Sequence, residues 1–193
     1  MKIHKIIHKT FAEGPGCRFC VWVQGCGHRC EGCFARELWD ISRGTDCDPA
    51  DLVREFMSVS DDVCGVTLLG GEPFDQAQEL VDLCETARNL GKTVIAFTGY
   101  RYGDLKLPAH RALLDAVDLL IDGKFMKSLL DSSRPLVGSS NQRFIYLTER
   151  ISPQEIAAYK NRFEIRTDKN GNVTFNGMGN IEKLQDYIKN LKV

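Results

Sequence analysis

The spacing of apolar positions changes character several times along the chain, and each change marks an element. The run "CVWVQ", residues 20–24, predicts a strand that leads straight into a cysteine-bearing loop. Asp48 followed by Pro49 predicts an N-cap and first turn of a helix reaching about residue 59. "VCGVTLL", residues 63–69, is a continuous apolar run of the kind found in strands covered on both faces. Asp75 with Gln78 three positions on predicts a capping box. Behind it, Ala77, Leu80, Val81, Cys84, Ala87 and Leu90 recur at helical steps until Gly91. "TVIAFT" (93–98) predicts the next strand, residues 108–116 a helix, and "VDLLID" (117–122) and "RFIYLT" (143–148) two more strands.

Apolar strands alternating with helices over short links predict an α/β fold with a parallel sheet. Five or six such units are too few for an eight-fold barrel, so an open partial barrel or curved sheet is expected. Chemistry in such sheets collects at the C-terminal ends of the strands. Three motifs fall there: the cysteine loop after 20–24, "GGEP" after 63–69, and "TGY" after 93–98. The tail reads differently. Ser152-Pro153 opens a short helix, and "RFEIRTDKNGNVTFNG" predicts a hairpin turning at Asn170-Gly171. Ile181, Leu184, Ile188 and Leu191 predict a last amphipathic helix over about 180–191. Residues 1–150 form the core of one domain, and 151–193 form an appendage to it.

The net charge of −1 gives neither nucleic acid nor an anionic membrane an electrostatic reason to bind. No stretch approaches the roughly 20 apolar residues of a membrane span, and the start is too polar for a signal peptide. A cytoplasmic protein is expected. Its 8 cysteines then point to metal or redox chemistry before disulfides. Cys64 and Cys84 lie in apolar surroundings and are expected to pack in the core. Cys47, in a loop between aspartates, has no evident role.

Cys17, Cys20, Cys26, Cys30 and Cys33 crowd into one stretch, and two metal readings compete. Pairing Cys17-x2-Cys20 with Cys30-x2-Cys33 would give a four-thiolate zinc site, but the spacer is short and Cys26 is left over. Cys26, Cys30 and Cys33 alone would hold three irons of a [4Fe–4S] cluster and leave the fourth iron open for a small molecule.

C-x3-C-x2-C followed by the aromatic Phe34 resembles the signature of the radical S-adenosylmethionine (SAM) superfamily. Gly70-Gly71-Glu72-Pro73 resembles its second motif. "GPGCRFCVWVQGCGHRCEGCF", Trp39, "LLGGEPFDQ", "TGY", "LLIDGKF" and "GSSNQR" occur in the order seen in the activating enzymes of anaerobic ribonucleotide reductase. The resemblance covers about residues 11–146. It implies a truncated (β/α)6 barrel open at one side to a partner protein. The implied activity is one-electron cleavage of SAM to a 5′-deoxyadenosyl radical, which removes a hydrogen from a glycine of a glycyl-radical enzyme. The implied electron donor is a flavodoxin- or ferredoxin-like protein.

The same resemblance implies roles by position. Cys26, Cys30 and Cys33 would bind the one cluster, with Phe34 beside the adenine. Gly70, Gly71 and Glu72, followed by Pro73, would hold the methionine end of SAM. A carboxylate facing an ammonium makes a charge-assisted bond, and glycines allow close backbone approach. Thr98 and Gly99 would line the site, and Asp122 and Lys124 resemble an acid-x-lysine pair near SAM. Ser139, Ser140, Asn141, Gln142 and Arg143 form a polar loop that reads either as a substrate contact or as a surface turn. His28 is expected to face solvent rather than a metal. Trp22 and Trp39 are expected in the core or shielding the cluster.

Two features depart from the family. Cys17 and Cys20 stand where the motif is variable. Packing is expected for Cys20, and reactivity for Cys17, whose neighbour Arg18 would stabilise a thiolate. The appendage extends past the shortest activases. The alternative functions are a radical SAM enzyme acting on a small molecule or peptide, and a zinc or redox cysteine module.

Overall fold

The computed structural model describes residues 1–167 and 169–178. The chain opens with a strand that the apolar pattern does not announce, β1 (Lys2–Thr10). Its residues lack a clean two-residue alternation, yet it pairs antiparallel along β2 (Arg18–Val23), from Ile3 opposite Val23 to Thr10 opposite Arg18. A two-residue strand, β3 (Thr45–Asp46), adds to its outer edge.

Three crossovers follow. Helix α1 (Pro49–Met57), capped by the Asp48 carboxylate on the Ala50 N–H, leads to β4 (Gly65–Gly70). Helix α2 (Ala77–Asn89) leads to β5 (Thr93–Thr98), and α3 (Pro108–Asp115) leads to β6 (Leu119–Asp122). Strands β2, β4, β5 and β6 are parallel neighbours in that order. The sequence led us to expect five or six α/β units, but the parallel run stops at four strands. The next strand, β7 (Arg143–Tyr146), comes after a long irregular connection with no crossover helix and pairs antiparallel to β6. A parallel neighbour needs a crossover over the sheet face, usually a helix, and here the chain instead turns back beside β6. The full order is β3-β1-β2-β4-β5-β6-β7. This is a mixed α/β fold with a large sheet that is parallel at its centre.

The two faces of the sheet are covered differently. Phe19, Val21, Val66, Leu68, Val94 and Leu120 pack on the three helices through Leu52, Phe56, Leu80, Cys84 and Leu113, all fully buried. The opposite face carries Cys20, Trp22 and Leu69 with Leu38, and Ile95, Leu119 and Ile121 with loop residues and α4 (Pro153–Ala158). Arg18 is also buried on that face. Its guanidinium spends all five donors on Thr67, Thr93, Val66 and Pro15, pinning the N-terminal ends of three strands together.

Three expectations change here. Asp75 caps no helix. Pro73 starts a 3-10 turn (Pro73–Gln76) one residue after Glu72, so the Glu72 carboxylate takes the cap on the Phe74 N–H, and Asp75 accepts from the Tyr100 hydroxyl. Leu90 lies past the end of α2 and is exposed. Cys64 is exposed too, because β4 begins one residue later, at Gly65.

Helix α4 is capped by Ser152 and is followed by the hairpin of β8 (Phe163–Thr167) and β9 (Val173–Gly177). Gly171, at φ +83°, takes the left-handed conformation the turn needs. Glu164 accepts from the Thr10 hydroxyl and the Phe11 N–H, each at 2.7 Å, and so docks the hairpin on the end of β1. The helix expected over 180–191 lies outside the described residues.

Candidate functional site

The C-terminal ends of β2, β4, β5 and β6 converge on one side of the sheet. Past β2, the buried side chain of Gln24 donates to the carbonyls of Glu37 (2.8 Å) and Asp40 (2.9 Å). Gly25 and Cys26 donate their backbone N–H groups to the carbonyls of Leu38 and Trp39. These bonds fold residues 35–40 back over the root of the cysteine loop. The sequence reading gave Gln24 no role, since nothing local marks a buried amide that ties together segments sixteen residues apart.

Cys26, Cys30 and Cys33 are half-buried free thiols on this loop. Burial pushes the Cys26 thiol up, while the N–H groups of His28 and Arg29 pull it back. Burial likewise raises Cys30, opposed by the Phe125 N–H and the Lys124 ammonium. Backbone donors aimed at sulfur are what a thiolate ligand uses to spread its charge. Among the described residues, no three His, Cys, Asp or Glu side chains converge on one point as a single metal ion requires. An iron–sulfur cluster takes each thiolate at a different iron, so this donor set of three soft ligands fits it. The four-thiolate zinc pairing does not fit. Cys20 is fully buried inside β2, and Cys17 precedes that strand at the end away from the loop. Nor does Arg18 activate Cys17, since its guanidinium is spent inside the sheet and burial raises the Cys17 thiol.

The end of β4 is stitched to the same loop. Gly71 and Glu72 donate to the carbonyls of Val23 and Gly25, both at 2.8 Å. A Cβ on Gly70 would lie 2.6 Å from the Val23 nitrogen, and Gly70 sits at φ +111°. Both glycines are therefore required by the contact between two strand ends, whatever they do for a ligand. Pro73 is buried behind them.

Glu72 is the centre of the site. It is 1% exposed. Its Oε1 accepts from the Phe74 N–H (3.0 Å) and the Thr98 hydroxyl (2.8 Å). Its Oε2 accepts from the Gly99 N–H (2.7 Å) and from Nε2 of His28 (3.1 Å). His28 does not face solvent as expected. Its ring folds inward onto Glu72, with its edge against Tyr100 at 4.5 Å. An acidic side chain just past the end of the neighbouring strand drew it in, and no local pattern reports that.

At the end of β6, Asp122 is fully buried and pairs with Arg143 of β7, whose Nε lies 2.9 Å away. It also accepts from the Tyr102 N–H. Lys124, the partner the spacing suggested, is exposed and lies near Cys30 instead. Of the polar loop, Ser139 and Gln142 hold their own turn, through Met126, Gly138 and Gly123. Asn141 donates to the Lys124 carbonyl and leaves its buried Oδ1 without a partner. Ser140 is exposed. Phe34, 69% exposed, stands at the outer edge of the cysteine loop. Trp22 is buried, and Trp39 is half-buried beside Cys26.

Residues 12–145 match the model of the 4Fe-4S single cluster domain. The anaerobic ribonucleoside-triphosphate reductase-activating protein of Enterobacteria phage T4 is 35% identical over 157 residues, 78% of this chain and 97% of that protein. The protein of the same name from Escherichia coli K12 is 29% identical over 150 residues, 74% of this chain and 96% of that one. A crystal structure of QueE from Escherichia coli aligns with 63% of this chain and 69% of its own at 13% identity. Its TM-score of 0.42 is too low to bear on the fold.

Proposed function

Because the chain belongs to the 4Fe-4S single cluster domain family, with the activating proteins of anaerobic ribonucleoside-triphosphate reductase among its relatives, we propose that it activates such a reductase. It is a radical SAM enzyme, with one [4Fe–4S] cluster and SAM as its cofactors. Once bound and reduced by an external one-electron donor, the cluster would supply the electron for reductive cleavage of SAM into methionine and a 5′-deoxyadenosyl radical, which would take a hydrogen atom from a glycine of the partner.

This chain's residues bind and orient. Cys26, Cys30 and Cys33 hold the cluster at the mouth of the sheet. Glu72 would receive the ammonium of SAM in a charge-assisted bond, and Gly70 and Gly71 would let the backbone approach it closely. The Thr98 hydroxyl and the Gly99 N–H fix the rotamer of Glu72, so the ammonium meets a carboxylate already in place. Arg143 keeps Asp122 ionised and in position beside the same strand ends. Lys124 adds positive charge next to Cys30. Phe34, exposed next to Cys33, supplies a face for the adenine.

The single observation that carries this reading is the stitching of Glu72 to the root of the cysteine loop through Gly25. It brings the thiols and the carboxylate to one place, as simultaneous binding of a cluster and an amino acid requires. The sheet, with its three crossover helices packed on one face, supports reading the core as a truncated form of a (β/α)6 barrel open at one side. The partner's glycine would enter there, and a flavodoxin- or ferredoxin-like protein would deliver the electron. A cytoplasmic setting suits the eight reduced thiols. Among the described residues, no helix is long and apolar enough to cross a membrane. Residues 1–150 and the hairpin docked on β1 are read as one domain.

The test is anaerobic incubation of the reconstituted protein with SAM, a one-electron reductant and a candidate anaerobic ribonucleoside-triphosphate reductase. A glycyl doublet in electron paramagnetic resonance, with one 5′-deoxyadenosine formed per radical, is expected. SAM cleavage without any glycyl signal would transfer the reading to a small-molecule or peptide substrate.

A further inference from the structure

We propose that His28 holds, in the SAM-free enzyme, the place on Glu72 that the ammonium of SAM takes, and leaves it when SAM binds. The inference rests on the reading that Glu72 receives the ammonium. It goes beyond that reading by assigning a displaced occupant to the site and a brake on SAM affinity to one residue.

The argument is one of satisfiability. A carboxylate offers about four lone-pair sites and only accepts. In Glu72 four donors already fill them: the Phe74 N–H, the Thr98 hydroxyl, the Gly99 N–H and His28 Nε2. An incoming ammonium must remove one. The Phe74 N–H is fixed in a 3-10 turn, and Thr98 and Gly99 are fixed at the end of β5. His28 sits on an irregular loop, makes the longest of the four contacts at 3.1 Å, and can leave by rotating its side chain alone. Facing an acceptor, its Nε2 must carry a proton, so it presents an N–H where the ammonium would present its own.

The site is also shaped for the ring. A Cβ on Gly99 would lie 2.2 Å from His28 Cδ2, so the absence of a side chain at Gly99 is what admits the imidazole. Tyr100 backs it on the other side. Once the ring swings out, the same space above Gly99 is open to the amino-acid end of SAM. While it stays in, the loop between Cys26 and Cys30 is tethered to β4, and Glu72 is not left as a buried charge short of a donor.

The experiment uses the cluster-loaded enzyme without reductant, so that SAM stays intact. SAM affinity is measured by anaerobic calorimetry for the wild type, His28→Ala and Glu72→Gln, with iron and sulfide counted in each. His28→Ala removes a competitor from the site, so it should bind SAM roughly 3- to 10-fold tighter at unchanged cluster content. A residue that only supported the loop would give weaker binding on removal. In the wild type, carbethoxylation of His28 by diethyl pyrocarbonate, read by mass spectrometry, should be slow without SAM and accelerated by it. This second readout decides the matter if His28→Ala fails to take up its cluster. Equal or weaker SAM binding in cluster-loaded His28→Ala, or labelling of His28 that SAM leaves unchanged, would overturn the proposal. Failure of the underlying reading looks different: Glu72→Gln would then bind SAM as tightly as the wild type.

Discussion

Gly71 lies so close to Gly25 that a Cβ on it would sit 2.1 Å from the Gly25 carbonyl oxygen. Here the strand carrying Glu72 meets the root of the loop carrying the three cysteines, and neither chain has room to move aside. Gly71→Ala should therefore separate them. The expected cost is at least the roughly 1–3 kcal/mol of ordinary overpacking. It should be seen as a lower melting temperature together with reduced iron and sulfide after reconstitution. A Gly71→Ala protein with full cluster content and unchanged melting would show that the junction yields easily.

The cysteines should divide sharply by position. Cys30→Ala and Cys33→Ala should lose the cluster while keeping the fold, as read by iron content and circular dichroism. Cys84→Ala should keep the cluster and cost about 1–2 kcal/mol in urea unfolding, since its thiol is fully buried between the helices and the sheet. Cys64→Ala should change stability by less than about 0.5 kcal/mol, because Cys64 is exposed. Loss of the cluster in Cys64→Ala would contradict the assignment of ligands.

Arg143→Ala should leave the buried Asp122 carboxylate with only the Tyr102 N–H as donor and cost about 1–3 kcal/mol in denaturant unfolding. In the wild type, burial pushes the Asp122 carboxyl up, but the bonds from Arg143 and Tyr102 outweigh it and hold the group below its ordinary value of 3.8. A lowered value in the folded state means stability that is present above pH 3.8 and lost as the pH falls further. Arg143→Ala should flatten that acid limb as well as lower the plateau. Equal acid limbs in the two proteins would show that the pair contributes nothing.

Glu13 should give the opposite pH dependence. Burial raises its carboxyl to about 7, although Asn176 of the hairpin and Lys5 pull it down. The folded protein thus holds a proton that the unfolded chain releases nearer pH 4.5. Stability contributed by this group is full below pH 4.5 and falls as the pH rises towards about 7, by up to roughly 3 kcal/mol. Unfolding measured between pH 5 and 8 should show the decline in the wild type and a much smaller one in Glu13→Gln. A Glu13→Gln protein with the same slope would remove Glu13 as its source.

Much of the architecture was legible because its signals are local. The caps at Asp48 and Ser152, the strand 93–98 and the turn at Asn170-Gly171 each depend on a few consecutive residues, and each is found where the pattern put it. The misses depend on partners far along the chain. β1 is a strand because β2 has an open edge beside it, and its own residues carry little alternation. Cys64 is exposed because β4 begins two residues later than the apolar run suggested, at Gly65.

By itself, the sequence determined the central alternation of strands and helices from β2 to β6 and the residue types that the site presents. Three thiols in one loop and a carboxylate after two glycines are set by covalent neighbours, and through their resemblance to a family's motifs they imply its cofactors. Only the tertiary structure decided which groups meet: His28 with Glu72, Arg143 rather than Lys124 with Asp122, Gln24 with the folded-back segment. Those pairings arise where the ends of different strands arrive side by side. Proximity there is a property of the sheet, and no period or spacing along one segment encodes it.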